Sequence, residues 1–114
     1  MKEYNVVIIG GGPGGYVCAV RCRQLGLSTA LIEKDELGGT CLNWGCIPAK
    51  ALLRNAEVYE TVREAPDYGI EPGKSGLRID YSRAYSRSRE VSGKLVKGVG
   101  FLMKKNGVDV YRDS

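Results

Sequence analysis

The chain contains no histidine. That excludes Ser-His and Cys-His catalytic pairs built within it. It also lacks long apolar runs, and none approaches the length that spans a bilayer. The first residues lead within a few positions into an apolar strand, which leaves no room for a signal peptide. There is no internal repeat and no low-complexity tract. Net charge is only +4; such a balance suits anionic ligands without arguing for nucleic acid.

What remains is an ordinary globular composition. Hydrophobic residues make up 43% and charged residues 26% of 114 positions, enough for one modest domain. These features read as a cytoplasmic protein with no membrane segment. In a reducing compartment a disulfide is catalytic rather than structural.

One stretch organises the rest: Gly38-Gly39-Thr40-Cys41-Leu42-Asn43-Trp44-Gly45-Cys46-Ile47-Pro48-Ala49-Lys50. In a regular helix, positions five apart face different sides, and disulfide partners need Cα atoms within about 7 Å. Cys41 and Cys46 can therefore pair only if the backbone between them bends. Asn43, Trp44 and Gly45 offer that bend. Pro48 fits a first helical turn, which puts Cys46 at a helix N-terminus, where the macrodipole favours an anion and lowers a thiol's pKa. Lys50 is four residues beyond Cys46 and faces the same way. A cation so early in a helix opposes the dipole at ~0.3–1 kcal/mol, so its presence points to a thiolate or an anionic ligand. The plainer alternative is two buried cysteines and a surface lysine.

Tyr4–Ile9 reads as a buried strand. Gly10, Gly12 and Gly15 after it satisfy G-x-G-x-x-G, and a helix follows from Pro13 to about Leu25. In that context the glycines permit a tight turn, close approach of a pyrophosphate and close helix–strand packing. The helix N-terminus supplies N–H donors to the phosphates; the alternative is a glycine-rich turn without a ligand. Cys18 and Cys22 share one face of this helix. A four-thiolate metal site with Cys41 and Cys46 is conceivable, but the spacing is no ligand knuckle, and the pair reads as small packing residues. Gly26 closes the helix. Ser28–Ile32 reads as a second, parallel strand. Glu33 at its end stands about 20 residues past the glycines, where a carboxylate accepts ribose hydroxyls and repels a 2′-phosphate.

Leu52–Arg63 continues as a helix with Ala51, Leu52, Val58 and Val62 as apolar positions. Ala65–Gly76, rich in Pro and Gly, is a loop. Asp80–Lys105 reads as a long amphipathic helix. Its stripe is Tyr81, Tyr85, Ser88, Ser92, Leu95, Val99, Leu102 and Met103; Arg83, Arg87, Lys94, Lys97, Lys104 and Lys105 lie mostly opposite. The basic positions read as a solvated face rather than a nucleic-acid surface. Gly93, Gly98 and Gly100 permit close packing or mark a break. Asn106-Gly107 caps the helix, and Val108–Tyr111 is a third strand. The architecture expected is α/β: the first half of a Rossmann-type parallel sheet in the order 3-2-1, with flanking helices.

The wording GGTCLNWGCIPAK, followed by Ala51-Leu52-Leu53, resembles the redox-active disulfide motif of the pyridine nucleotide-disulfide oxidoreductases, nearest to the members that oxidise dihydrolipoamide. The likeness is dense over Asn5–Leu53 and looser after Arg54. It implies FAD as cofactor, NAD⁺ as acceptor and lipoamide as substrate. It also implies a homodimer and membership of 2-oxoacid dehydrogenase complexes. Residues 1–114 then form the N-terminal part of the FAD-binding domain, without the nicotinamide and interface domains. In the family a histidine from the partner subunit handles the proton, and a second flavin contact follows later in the chain. By the resemblance Cys41 is the interchange thiol, Cys46 the thiolate against the flavin, and Lys50 a contact to the flavin ring. Gly10, Gly12, Pro13, Gly15, Glu33, Lys34, Gly39 and Thr40 hold the rest of the cofactor. Related flavin reductases for glutathione or mercuric ion, or a non-catalytic FAD-binding fragment, are the alternatives.

Overall fold

Val6–Ile9 consists only of β-branched residues, which favour a pleated strand, and forms β1. The computed structural model describes residues 1–112. Strands β2 (Thr29–Glu33) and β3 (Asp109–Arg112) complete a parallel sheet with β2 in the centre. This is the 3-2-1 arrangement of a partial Rossmann-type domain. β1 begins two residues later than expected because side chains take the ladder's place at Asn5, whose N–H donates to Ser28 Oγ at 2.9 Å while its Oδ1 accepts from Ser28 N–H at 2.9 Å.

The register puts Ile8, Leu31 and Val110 in one row across the sheet. They face a core of Ala19, Leu37, Leu42, Val99, Met103 and Val108. The alternate row is different: Val7 is 52% and Ile9 85% exposed. The expectation of a strand buried on both faces is thus corrected. Helices cover the Ile8 side, and side chains along a strand alternate between faces.

Helix α1 (Pro13–Gln24) starts with Pro13, whose missing N–H is harmless there. It ends where Leu27 N–H reaches back to Cys22 O at 3.0 Å. A short helix α2 (Gly39–Asn43) leads into α3 (Cys46–Glu64), followed by a 3₁₀ turn at Ala65–Tyr68. The long helix α4 (Tyr81–Asn106) is capped by Asp80, whose Oδ1 accepts from Arg83 N–H, and it closes at Gly107. Its end is fastened to α1 by Arg23, which donates from Nε to Asn106 O at 2.9 Å. α3 and α4 run together as an arm that gives the molecule a 68 Å long axis.

The buried stripe of α4 is Ala84, Ser88, Ser92, Val99 and Met103. The expected tyrosines lie off it, Tyr81 at 65% and Tyr85 at 54% exposure. α3 approaches α4 over small residues, Ala84 and the two serines, which admit a neighbouring helix more closely than tyrosines would. Arg87, expected on the solvated side, instead donates to Ala51 O and Asn55 Oδ1 on α3. Gly93, Gly98 and Gly100 neither break the helix nor admit a neighbour: a Cβ at any of them would have nothing within 4 Å. Among the described residues no helix is long and apolar enough to cross a membrane.

Candidate active site

Two segments meet at the C-terminal ends of β1 and β2. The first is the turn after β1. Gly10 has φ +105°, a region L side chains avoid. A Cβ on Gly15 would lie 1.8 Å from Gly10 O, so α1 can rise from the sheet only where that position is glycine. The second is the segment after β2. Gly38 N–H donates to Gly11 O at 2.8 Å. A Cβ on Gly39 would lie 2.8 Å from Gly12 Cα. The backbones of the two segments therefore touch, and the start of α1 keeps open N–H groups with no side-chain cap.

Glu33 fixes this junction. Its Oε2 accepts from Gly11 N–H at 2.7 Å and its Oε1 from Asp35 N–H at 2.9 Å. Burial pushes its carboxyl up, but the N–H bonds from Gly11, Asp35 and Lys34 outweigh that and hold it below the usual carboxylate range. Each oxygen keeps a further lone pair for a hydroxyl donor. A cavity of about 660 Å³ opens beside it, lined by Gly10, Glu33, Lys34, Gly39 and Thr40, together with Ile9 and Trp44. Five expected residues thus share one cavity. Gly12 adjoins it through Gly39, while Pro13, Gly15, Cys46 and Lys50 do not line it.

Cys41 and Cys46 are joined by a disulfide, with Cα atoms 4.6 Å apart. The bend is where the residue types placed it. α2 ends at Asn43, Trp44 N–H returns to Thr40 O at 2.8 Å, and α3 begins at Cys46. At Gly45 a Cβ would press on the Thr40 carbonyl at 3.0 Å. Cys46 is the first residue of α3, so Pro48 remains in the first turn while Lys50 stands one turn further in than expected. Cys46 and Lys50 are exposed and Cys41 is half-buried.

Sequence reasoning missed the supports of this bend. Asn43 donates from Nδ2 to Leu37 O at 3.1 Å and Gly39 O at 2.9 Å, tying the segment to itself. Arg89, far along α4, donates to Asn43 O and, at 2.9 Å, to Ser92 Oγ. Asn43 was legible only as a turn former; nothing in the sequence linked Arg89 to it. Ile9, Ile32, Asp35, Glu36 and Trp44 also line the cavity and were not nominated. Among the described residues no group of three or more His, Cys, Asp or Glu is placed to hold a metal ion. Two thiols of the imagined four-thiolate site are used up in the Cys41–Cys46 bond.

A glycine turn at the head of a parallel sheet, closed against a redox-capable cysteine pair, defines a dinucleotide-binding oxidoreductase fold. The comparisons agree. The family model described as pyridine nucleotide-disulphide oxidoreductase matches residues 4–114, and the chain belongs to that family. It is 56% identical over 109 residues to a dihydrolipoyl dehydrogenase of Bacillus subtilis, covering 96% of this chain and 23% of that protein. It is 50% identical over 111 residues to that of Acholeplasma laidlawii, covering 96% and 32%. Among solved structures, the Cu(II) complex of the HOCl-induced flavoprotein disulfide reductase RclA from Escherichia coli superposes with a TM-score of 0.72 at 31% identity. That match covers 94% of this chain and 21% of that one. The chain therefore spans between about a fifth and a third of the length of these proteins.

Proposed function

We propose that this chain is the first portion of the FAD-binding domain of a flavoprotein that oxidises dihydrolipoamide and passes the electrons to NAD⁺. The observation that carries the reading is the Cys41–Cys46 bond on the segment whose Gly39 packs against Gly12 of the glycine turn. Redox pair and nucleotide turn are thereby parts of one rigid junction.

The residues present fit such a cofactor. The turn at Gly10, Gly12 and Gly15 has no Cβ to obstruct a pyrophosphate, and the N-terminus of α1, from Pro13, faces it with free N–H groups. Glu33 would take the ribose hydroxyls on its remaining lone pairs, and Lys34, Gly39 and Thr40 line the same cavity. When bound, the flavin supplies a two-electron acceptor beside the pair. The chain's own part is thiol–disulfide exchange. One thiolate of the substrate attacks Cys41 Sγ, and the Cys41–Cys46 bond breaks. Cys46 leaves as a thiolate at the start of α3, where the helix dipole and Lys50 favour negative charge. The second substrate thiol then displaces Cys41, closing the substrate's own disulfide. Two electrons leave the substrate and two sulfurs of the protein hold them. One proton stays on Cys41; the other passes to a base outside this chain, which has no histidine.

The same reading places the whole protein in the cytoplasm, as a homodimer that supplies that base from the partner subunit and works within 2-oxoacid dehydrogenase complexes. The visible spectrum of the purified chain with added FAD, before and after two-electron reduction, tests it. Bound flavin with a new long-wavelength band on reduction supports the assignment; no bound flavin counts against this chain's forming the site. Turnover of dihydrolipoamide with NAD⁺ separates the enzyme from the alternative of a non-catalytic flavin-binding fragment. Glutathione and mercuric ion as substrates test the related reductases.

A further inference from the structure

Helix α1 carries a second pair of cysteines that the proposed reaction leaves unused. Cys18 and Cys22 are four residues apart and therefore share a face, and their Sγ atoms lie 3.9 Å apart. Both are free thiols, Cys18 exposed and Cys22 half-buried. Regular helix runs through both, so the pair stands as a preformed dithiol.

That separation has a chemical meaning. An atom that forms bonds of about 2.3 Å to sulfur can bridge two Sγ atoms at this separation. Among the described residues no further His, Cys, Asp or Glu joins the pair as a third ligand. An ion that needs four protein ligands is not satisfied there. A thiophile that brings its own remaining substituent is.

We propose that Cys18 and Cys22 form a dithiol clamp for trivalent organoarsenicals, distinct from the Cys41–Cys46 pair. The step balances without a redox partner. An arsenous oxide R–As=O condenses with both thiols, two S–H bonds break, two As–S bonds form, and the oxygen leaves as water. No electron is transferred. Burial, together with the bond to Cys18, raises the Cys22 thiol above its ordinary value, which favours the S–H form that this condensation consumes at that residue. While the Cys41–Cys46 bond is intact, that pair has no S–H to offer.

The test is intact-mass measurement of the non-reduced chain after exposure to phenylarsine oxide. One phenylarsenic bridge per chain is expected, both in the wild type and in the Cys41→Ser/Cys46→Ser variant. Binding should weaken by ~100-fold or more in Cys18→Ala and in Cys22→Ala, because the second bond is then intermolecular. Alanine is the strongest helix former, so α1 survives both changes. Absence of an adduct on the non-reduced wild type would overturn the proposal. So would undiminished binding by Cys22→Ala, or loss of the adduct in the Cys41→Ser/Cys46→Ser variant.

Discussion

The junction around the glycine turn and the arm formed by α3 and α4 are held together by different means. At the junction, backbone meets backbone: Gly15 against Gly10, Gly39 against Gly12, Gly38 N–H on Gly11 O. Along the arm, contact is made through side chains, over Ala84, Ser88 and Ser92 with Arg87 reaching across to Ala51 O and Asn55 Oδ1. Side chains can rotate to absorb a change, whereas a backbone clash is relieved only by moving an element. Positional precision therefore belongs to the junction, where the cysteines and the cavity are, and tolerance to the arm.

The harshest probe of that contrast is Gly15→Ala. The added methyl would occupy the position of Gly10 O, so α1 must shift away from β1. We expect a loss of about 3 kcal/mol or more in urea unfolding, with loss of FAD binding by titration. A variant of wild-type stability would mean that the junction yields as readily as the arm.

Glu33→Gln tests the same junction through charge. Glutamine can still accept at one atom, but its NH₂ meets the N–H of Gly11 or Asp35. Losing a buried, charge-assisted acceptor should cost about 2 kcal/mol near neutral pH. The sign with pH follows from the direction of the shift. The folded carboxyl lies below its ordinary value of 4.5, so its contribution is complete above that value and disappears as pH falls through the folded pKa. Unfolding curves of the two proteins should thus begin to converge as pH falls below 4.5 and continue to do so through the folded pKa. A gap that stays constant over that range would show that the carboxylate charge is not what holds the turn.

Arg89→Ala addresses a place where the arm serves the junction. It removes the donor to Asn43 O between the two cysteines. A stability loss of about 1 kcal/mol is expected, with reduction of Cys41–Cys46 by dithiothreitol accelerated several-fold, read by thiol trapping. An unchanged reduction rate with the same stability loss would confine Arg89 to packing.

The contrast also explains what the sequence revealed. Glycine spacing and the Cys41–Cys46 interval were legible because their constraints are local, and the strand-end Glu33 because it stands at a fixed distance past the glycines, one helix and one strand on. The order of the sheet followed from the Rossmann-type pattern of strand, glycine turn, helix and strand. Ser88, Ser92, Val99 and Met103 of the buried stripe of α4 were legible from periodicity, whereas Ala84 on that stripe and the contacts of Arg87 and Arg89 were not. They depend on which residues of α3 come to lie opposite, and periodicity alone does not distinguish Tyr85 from Ala84 when both fall near one face. The exposed row Val7–Ile9 misled for a related reason. An apolar β-branched run is equally compatible with one covered face or two.

An effect no larger than that of Arg89→Ala is expected on the arm itself and should have the opposite sign. Gly93 sits within α4 on its exposed side, has no positive φ, and a Cβ there meets nothing within 4 Å. Glycine in a helix interior costs about 1 kcal/mol relative to alanine, because the unfolded chain gains more freedom and the folded helix gains nothing. Gly93→Ala should therefore raise stability by about that amount in thermal or urea unfolding, leaving FAD binding unchanged. The same substitution, glycine to alanine, would then stabilise at position 93 and disrupt at position 15. A destabilised Gly93→Ala would show that some surface closes on α4 at that position, and the arm would no longer be the tolerant half of the molecule.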